Sequence, residues 1–396
     1  MQQRVVWLDG VRGAAAMFVV FHHMWLAVWQ SFPSSAGPWW VGWLLYGHLA
    51  VAVFIVVSGF SLALAPLRDD LRLRGGTRRF VRRRAWRILP AYWAALILST
   101  LITAFLLRPE LGIGEDAKAF VVHGLLLQDV IGSETPNGAF WSIAVEWQIY
   151  FVFPLILWAA RKRSVETAVA LTVAAVLAAH AVSLLGSPFD KIDHVSPQFL
   201  ALFALGILAV KLGRGDSAST LRRPLGALAL IGFLAVVVMA IVQGSVWMVD
   251  RYFYVDLAFG LAFACLLVMM FTGGLARASR LLTSRVARRL GLFSYSIYLI
   301  HGPIVALLGK YVIGPTGLPA LAQFALFLVI GLPVVLVLCY GFHLLFEAPF
   351  LRYRDMRALR SLPVVQILRG RRVPEAPRPA KVTTAREAPK AVGEYS

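Results

Sequence analysis

What most constrains this chain is a succession of apolar runs, each about long enough to cross a bilayer. They fall near residues 7–30, 40–65, 88–107, 140–160, 165–186, 197–210, 225–243, 254–272, 290–313 and 320–346. A helix rising 1.5 Å per residue needs roughly 20 apolar residues to span a hydrocarbon core of about 30 Å. Backbone polar groups inside lipid must be satisfied within the segment, so runs of this length cross as helices. The reading is an all-α integral membrane protein, a bundle of about ten transmembrane helices. The run 197–210 is the shortest and contains Gly206, and is expected to be tilted, broken or re-entrant.

Composition excludes an ordinary soluble domain: 59% of residues are hydrophobic, 15% are charged and mean hydropathy is +0.73, where soluble domains carry roughly 25% charged residues. The charges set an orientation. Of the 39 Lys and Arg, only Arg108, Lys118, Lys191, Arg251 and Lys310 lie in one set of alternate connections; the rest lie in the other set and at the two termini. Short cytoplasmic loops are rich in Lys and Arg, so the basic loops and both termini are predicted to be cytoplasmic, which requires an even number of spans. The same distribution accounts for the net charge of +19 without nucleic acid, since anionic lipid attracts basic residues at helix ends. Cys265 and Cys339 sit in apolar runs without metal-site spacing, and no metal ligand set is read. Asp9 and Arg12 interrupt the first apolar stretch, which is therefore read as a retained helix rather than a cleaved signal.

Residues 1–355 read as one membrane domain. Residues 356–396 are basic and Pro-rich, a composition that cannot bury a core, and are predicted to form a disordered cytoplasmic tail. The connection 108–139 is acidic. Its apolar stretch Ala119–Leu127 is too short to span and is expected to be an interfacial or re-entrant helix over the site.

Ionisable groups inside spanning helices are costly and usually face a partner, a cavity or a substrate path. Arg12 and His23 are eleven residues apart, close to three turns, so they share a face about 16 Å apart along the axis. Asp9 is spaced to pair with Arg12. Ser142, Glu146 and Tyr150 line one face at four-residue intervals. Counting inward from each helix boundary places His23 and Glu146 at one depth, and predicts that they meet directly or through a water. A carboxylate that orients an imidazole is the arrangement a general base acting on a hydroxyl needs; a structural His–Glu pair would look the same. Arg83, Arg84 and Arg87 are spaced to converge on a phosphate group, although helix-end arginines also serve topology. His301, in Ser294-Tyr-Ser-Ile-Tyr-Leu-Ile-His301, lies mid-membrane as a supporting or packing residue. His48, His123, His180, His194 and His343 are read as structural. No Walker A or dinucleotide fingerprint occurs.

These stretches, Leu8-Asp-Gly-Val-Arg-Gly with His23, Arg83-Arg-Ala-Trp-Arg87, Trp141-Ser-Ile-Ala-Val-Glu146-Trp-Gln-Ile-Tyr150 and Tyr295-Ser-Ile-Tyr-Leu-Ile-His301, resemble in order the signatures of bacterial membrane acyltransferase family 3. The resemblance implies a stand-alone member in the bacterial cytoplasmic membrane that uses acyl-CoA as donor substrate, with no bound cofactor. It also implies O-acylation of a carbohydrate, often a cell-surface glycan. His23 would be catalytic, assisted by Glu146. Arg83, Arg84 and Arg87 would lie near the donor phosphates with Arg12. Trp147 departs from relatives that commonly carry a second acidic residue there. A transporter or flippase for a lipid-linked sugar or small anion is the rival that ten spans and intramembrane charge also suit.

Overall fold

The computed structural model describes residues 5–34, 37–108, 112–133 and 135–352, so the tail read over 356–396 lies outside the described residues. Among those residues there is no strand, and nine helical segments are long and apolar enough to cross a membrane. The chain is an all-α integral membrane protein.

The first helix, α1 (Trp7–Val28), is followed by a 3₁₀ turn (Gly42–Tyr46), α2 (Leu49–Ala63) and α3 (Gly76–Ile102). Two short helices, α4 (Gly112–Gly124) and α5 (Gln128–Ile131), precede α6 (Phe140–Lys162), α7 (Val165–Ser183) and the four-residue α8 (Lys191–His194). Then come α9 (Gln198–Arg214), α10 (Ala218–Asp250), α11 (Tyr252–Phe271), α12 (Ala276–Leu282), α13 (Arg285–Leu292) and α14 (Ser294–Leu308). The last span, Ala320–Arg352, joins α15 (Ala320–Leu326), α16 (Leu332–Phe342) and α17 (Ala348–Arg352) through π-helical turns. With the 17-residue α9 counted beside those nine, successive spans alternate in direction. One end of the bundle gathers the start of α3 and the last turns of α6 and α9, all Lys- and Arg-bearing; we call it the basic end. The other, the far end, carries α4, α5, α8 and the 3₁₀ turn.

Three boundaries differ from the hydropathy reading, each for a local reason. The run from residue 40 breaks because 42–46 form the 3₁₀ turn, and α2 starts only at Leu49. Helix α3 begins at Gly76, where Gly75 supplies a left-handed φ of 79°, so the arginines from Arg78 onward are helical and not looped. The weak run 197–210 is one continuous helix, α9, of 17 residues. Gly206 does not break it. A Cβ at Gly206 would collide with the Val56 carbonyl oxygen, and one at Gly59 with that of Phe203, so α2 and α9 cross backbone to backbone. Lipid offers helices no hydrophobic reason to associate, and close packing across small residues supplies the attraction instead.

Helix α1 meets α12 and α13 by the same device, with Gly10 against Leu282 of α12 and Gly13 against Gly291 of α13. Helix α10 is peripheral: of its 33 residues only Ala229, Val236 and Met248 are buried, and side chains such as Ile231, Leu234 and Val238 face outward as lipid-facing residues do. The stretch Ala119–Leu127 does not span. Helix α4 is tied to α3, with Tyr92 Oη donating to the His123 carbonyl at 2.9 Å and Trp93 Nε1 to that of Gly124 at 3.0 Å.

Candidate active site

Helix α1 carries His23 toward α14, where its partner is His301. His23 Nδ1 lies 3.2 Å from His301 Nε2 and 2.9 Å from the Val19 carbonyl oxygen, and the rings meet edge-on at 4.6 Å between centroids. Hydrogen-bond logic assigns the tautomers. His301 Nδ1 stands 2.9 Å from both the Ile297 and Tyr298 carbonyls. These can only accept, so His301 Nδ1 carries the proton and its Nε2 is a bare acceptor. His23 Nδ1 faces an acceptor on each side and must be the donor. His23 Nε2 is left with its lone pair free, the state a general base requires. Neighbouring His22 is committed elsewhere: its Nδ1 donates to the Leu44 carbonyl at 2.8 Å, and Gly47 packs on its ring so closely that a Cβ would not fit.

One turn from His301, Tyr298 Oη meets Ser142 Oγ at 2.6 Å. Ser142 opens the expected face of α6, and below it Glu146 accepts hydrogen bonds from Ser58 Oγ at 2.8 Å and from Tyr150 Oη. The direct meeting of His23 and Glu146 predicted by counting is not formed: among the described residues the two share no hydrogen bond. The cause lies just before α6. Asn137 is buried and donates to the Leu299 carbonyl at 2.7 Å and to Ser99 Oγ at 3.3 Å. A Cβ at Gly302 would stand 3.1 Å from Asn137 Oδ1. Helix α6 therefore starts at the depth of His301 and not at the surface. Glu146, six residues in, lies about 9 Å deeper at 1.5 Å per residue.

Glu146 belongs to a second centre, nearer the basic end. Arg12 donates to Ser61 Oγ at 2.6 Å and lies 3.7 Å from Asp9. It is within electrostatic range of Arg87, Glu146 and Tyr150. Arg84 reaches the same place, in range of Tyr150, Arg87 and Glu146, with its guanidinium 5.7 Å over the Phe80 ring. Its buried Nε–H has no hydrogen-bond partner among the described residues. Three guanidiniums thus face two carboxylates, and a buried unpaired donor is costly unless a ligand meets it. Of the arginines proposed from spacing, Arg12, Arg84 and Arg87 converge. Arg83 and Arg87 are both exposed; Arg83 turns to the carbonyl of Arg74 at 3.3 Å, and Arg74 pairs with Asp69 and holds that carboxyl below its usual range.

Two buried carboxylates escaped the sequence reading. Asp256, fully buried on α11, accepts from His48 Nε2 at 3.0 Å and from Gln198 Nε2 at 3.2 Å. It is a lone acid within an apolar run, the criterion that had singled out Glu146. Glu347, in a π-helical turn just past the boundary drawn at 346, binds Ser296 Oγ at 2.6 Å and His343 Nδ1 at 2.8 Å. A third polar cluster ties α7, α8 and α11 together, with His180 Nδ1 3.0 Å from Asp193 and its Nε2 3.0 Å from Tyr254 Oη.

A groove of about 1190 Å³ runs along another face of α1, lined by Ala14, Phe18, Trp43, Val236 and Phe263 among others. None of His23, Glu146, Arg12 or Arg84 lines it, so it is a separate, apolar feature and not the space between the two centres.

Comparison with known sequences places the chain in a family. No solved structure matches the chain. A protein of Bacillus subtilis, provisionally named a peptidoglycan O-acetyltransferase, is 27% identical over 330 residues, covering 76% of this chain and 48% of that one; the chain thus spans about half the length of that relative. A peptidoglycan O-acetyltransferase of Listeria monocytogenes is 24% identical over 164 residues, 38% of this chain and 24% of its own. An acyltransferase of Streptomyces mycarofaciens is 30% identical over 156 residues, 37% of this chain and 38% of its own. The sequence profile of the acyltransferase domain matches residues 5–344, and this multi-pass membrane protein belongs to that acyltransferase family.

Proposed function

We propose that the chain takes an acyl group, acetyl or another short one, from acyl-CoA at the basic end. It passes that group to a hydroxyl of a carbohydrate reaching His23 from the far end. The basic end faces the cytoplasm of a bacterial cell and the membrane is the cytoplasmic one, as the Lys and Arg bias argues. The acceptor is a cell-surface glycan or a glycosylated metabolite, in keeping with relatives named for peptidoglycan.

The observation that carries this reading is the pair of centres on one helix. Arg12 and His23 both point into the bundle from α1, about 16 Å apart, one among guanidiniums and the other with a free basic nitrogen. Arg12, Arg84 and Arg87 hold the phosphates of the donor, Arg84 with its unmet Nε–H, and guanidinium forks suit phosphate oxygens. The acyl-bearing thiol arm extends past Glu146, Tyr150 and Ser142 toward His23. His23 Nε2 then takes the proton of the acceptor hydroxyl as its oxygen bonds to the thioester carbonyl carbon. The carbon–sulfur bond breaks, and the departing thiolate takes the proton back from His23. Atoms and charge balance without a cofactor. His301 holds the reactive tautomer and accepts from the imidazolium while it exists. Glu146 fixes Tyr150 and Ser58 and offsets the guanidinium charge between the centres.

The test is thiol release from acetyl-CoA by the purified protein in lipid nanodiscs, followed with a thiol reagent, with mass spectrometry of added saccharide acceptors. Acceptor-dependent release and an acetylated saccharide are expected. No release with any acyl-CoA would overturn the reading.

A further inference from the structure

Imidazole–carboxylate pairs of the kind sought between His23 and Glu146 are formed by other residues, and of these His48–Asp256 lies nearest in sequence to the proposed base. His48 caps α2 at the far end, and its Nε2–H donates to Asp256 Oδ2 at 3.0 Å. The imidazole lies flat between two aromatic rings, Tyr252 at 3.8 Å and 10° and Trp141 at 5.3 Å and 8°. Four elements are held by these contacts: α2 through the residue before it, α6 through Trp141, α9 through Gln198, and α11 through Tyr252 and Asp256.

A purely structural pin would not be built this way. Apolar side chains of similar volume hold helices together as well as a buried charged pair, and often better. Asp256 Oδ1 is fully buried and has no hydrogen-bond partner among the described residues, an arrangement that costs stability. His48 keeps 16% of its side chain exposed, and its Nδ1 makes no hydrogen bond among the described residues. A fixed imidazole with one nitrogen clamped by a buried carboxylate presents the other nitrogen in a set direction. The place is also informative. Gly47 packs directly on the His22 ring, and His22 stands edge-on to His23 at 5.0 Å between centroids. His48 is therefore at the far-end rim of the His22–His23 wall, one imidazole away from the proposed base.

We propose that His48, clamped by Asp256 and stacked between Trp141 and Tyr252, is an acceptor-binding site. A second hydroxyl of the saccharide donates to His48 Nδ1 and so sets which hydroxyl reaches His23. A polyol, with neighbouring hydroxyls several ångströms apart, is the acceptor class that two spaced imidazoles recognise; a simple alcohol would use only one. The proposal rests on the acyl-transfer reading above and gives its acceptor side a location.

The experiment uses the full chain in nanodiscs with acetyl-CoA and soluble N-acetylhexosamine oligosaccharides of two to six units. KM is measured separately for donor and acceptor in wild type, His48→Gln and the double variant His48→Phe with Asp256→Leu. The double variant replaces the pair by apolar side chains and leaves no buried charge behind, so it keeps the packing if packing is all the pair does. For the double variant we expect acceptor KM to rise about tenfold or more, with KM for acetyl-CoA and Tm within about twofold and a few degrees of wild type. His48→Gln, which retains a hydrogen-bonding amide, should be milder, and selectivity for oligosaccharide over a simple alcohol such as butanol should fall in both. Unchanged acceptor KM and selectivity in a folded double variant would overturn the proposal while leaving acyl transfer standing. A parallel loss of Tm and of both KM values would show a structural pin and overturn it too. Absence of turnover in wild type would instead remove the reading beneath it.

Discussion

Removing the His301 imidazole should slow the chemical step without weakening donor binding, and its size follows from the geometry. In the resting state His23 Nδ1–H is shared between the Val19 carbonyl at 2.9 Å and His301 Nε2 at 3.2 Å. The second of these is a neutral hydrogen bond, worth about 1 kcal/mol. When His23 Nε2 takes the hydroxyl proton the ring becomes cationic, and the same bond becomes charge-assisted, worth about 1.5–3 kcal/mol. Only the difference lowers the barrier, because interactions equal in ground and transition states cancel. That difference is roughly 0.5–2 kcal/mol, or about 2- to 30-fold in kcat at 1.36 kcal/mol per tenfold. His301→Ala should therefore lose about 2- to 30-fold in kcat with KM for acetyl-CoA unchanged, and His301→Gln, whose amide oxygen still accepts, should recover most of it. The assay is acceptor-dependent thiol release under saturating substrates. A His301→Ala enzyme as inactive as one lacking His23, or one at full rate, would refute the tautomer argument.

Three further outcomes follow from other parts of the molecule. Arg84→Ala should weaken acetyl-CoA binding by about tenfold or more, the worth of a charged hydrogen bond to phosphate, and Arg84→Lys should restore it only in part because it lacks the planar fork; full rescue by Lys in a calorimetric titration would contradict a phosphate role. Gly206→Leu forces a side chain into the Val56 carbonyl and should lower stability by about 1–3 kcal/mol or prevent assembly, whereas an unchanged Tm in detergent would disprove the backbone-to-backbone crossing. Burial pushes the Asp129 carboxyl up to about 7. Folding thus favours its protonated form, and the stability it contributes is full below about pH 4 and is lost as pH rises toward 7. Asp129→Asn should then gain Tm over wild type increasingly from pH 4 to pH 8, and a pH-independent offset would contradict the burial.

Most of the membrane architecture was legible because it depends on run length and charge alone, which are local. The misplaced boundaries all turn on features that run length does not see. Gly75 in a left-handed conformation lets α3 start at Gly76, and a backbone crossing at Gly59 and Gly206 turns an apparently broken segment into a central helix. The approach of Arg12 and Arg84 to Glu146 and Tyr150 is in keeping with their helical spacing, while Arg83 and Arg87 are both exposed. The direct hydrogen bond expected between His23 and Glu146 is not formed among the described residues, because depth was counted from presumed surfaces. Asn137, buried against Leu299 and Ser99, pulls the start of α6 inward, and a tertiary contact of that kind leaves no trace in hydropathy. His301 was visible only as an intramembrane histidine, and the two backbone carbonyls that fix its tautomer depend on the folded geometry of α14. Asp256 was within reach of the same argument that found Glu146; its partner His48 lay inside the run read over 40–65 and was taken as structural, because nothing local ties it to an acid 208 residues away.

The account rests on His23 Nε2 as the base, and the most direct measurement is the turnover of His23→Ala beside wild type and His22→Ala, each purified in nanodiscs with matched Tm. Loss of a general base costs about 10²- to 10⁴-fold, so acetyl transfer by His23→Ala should fall by that factor. His22→Ala, which loses the bond to the Leu44 carbonyl and ring packing but no group proposed to touch substrate, should stay within about tenfold of wild type. A folded His23→Ala protein that transfers acetyl groups at near wild-type rate would contradict the account.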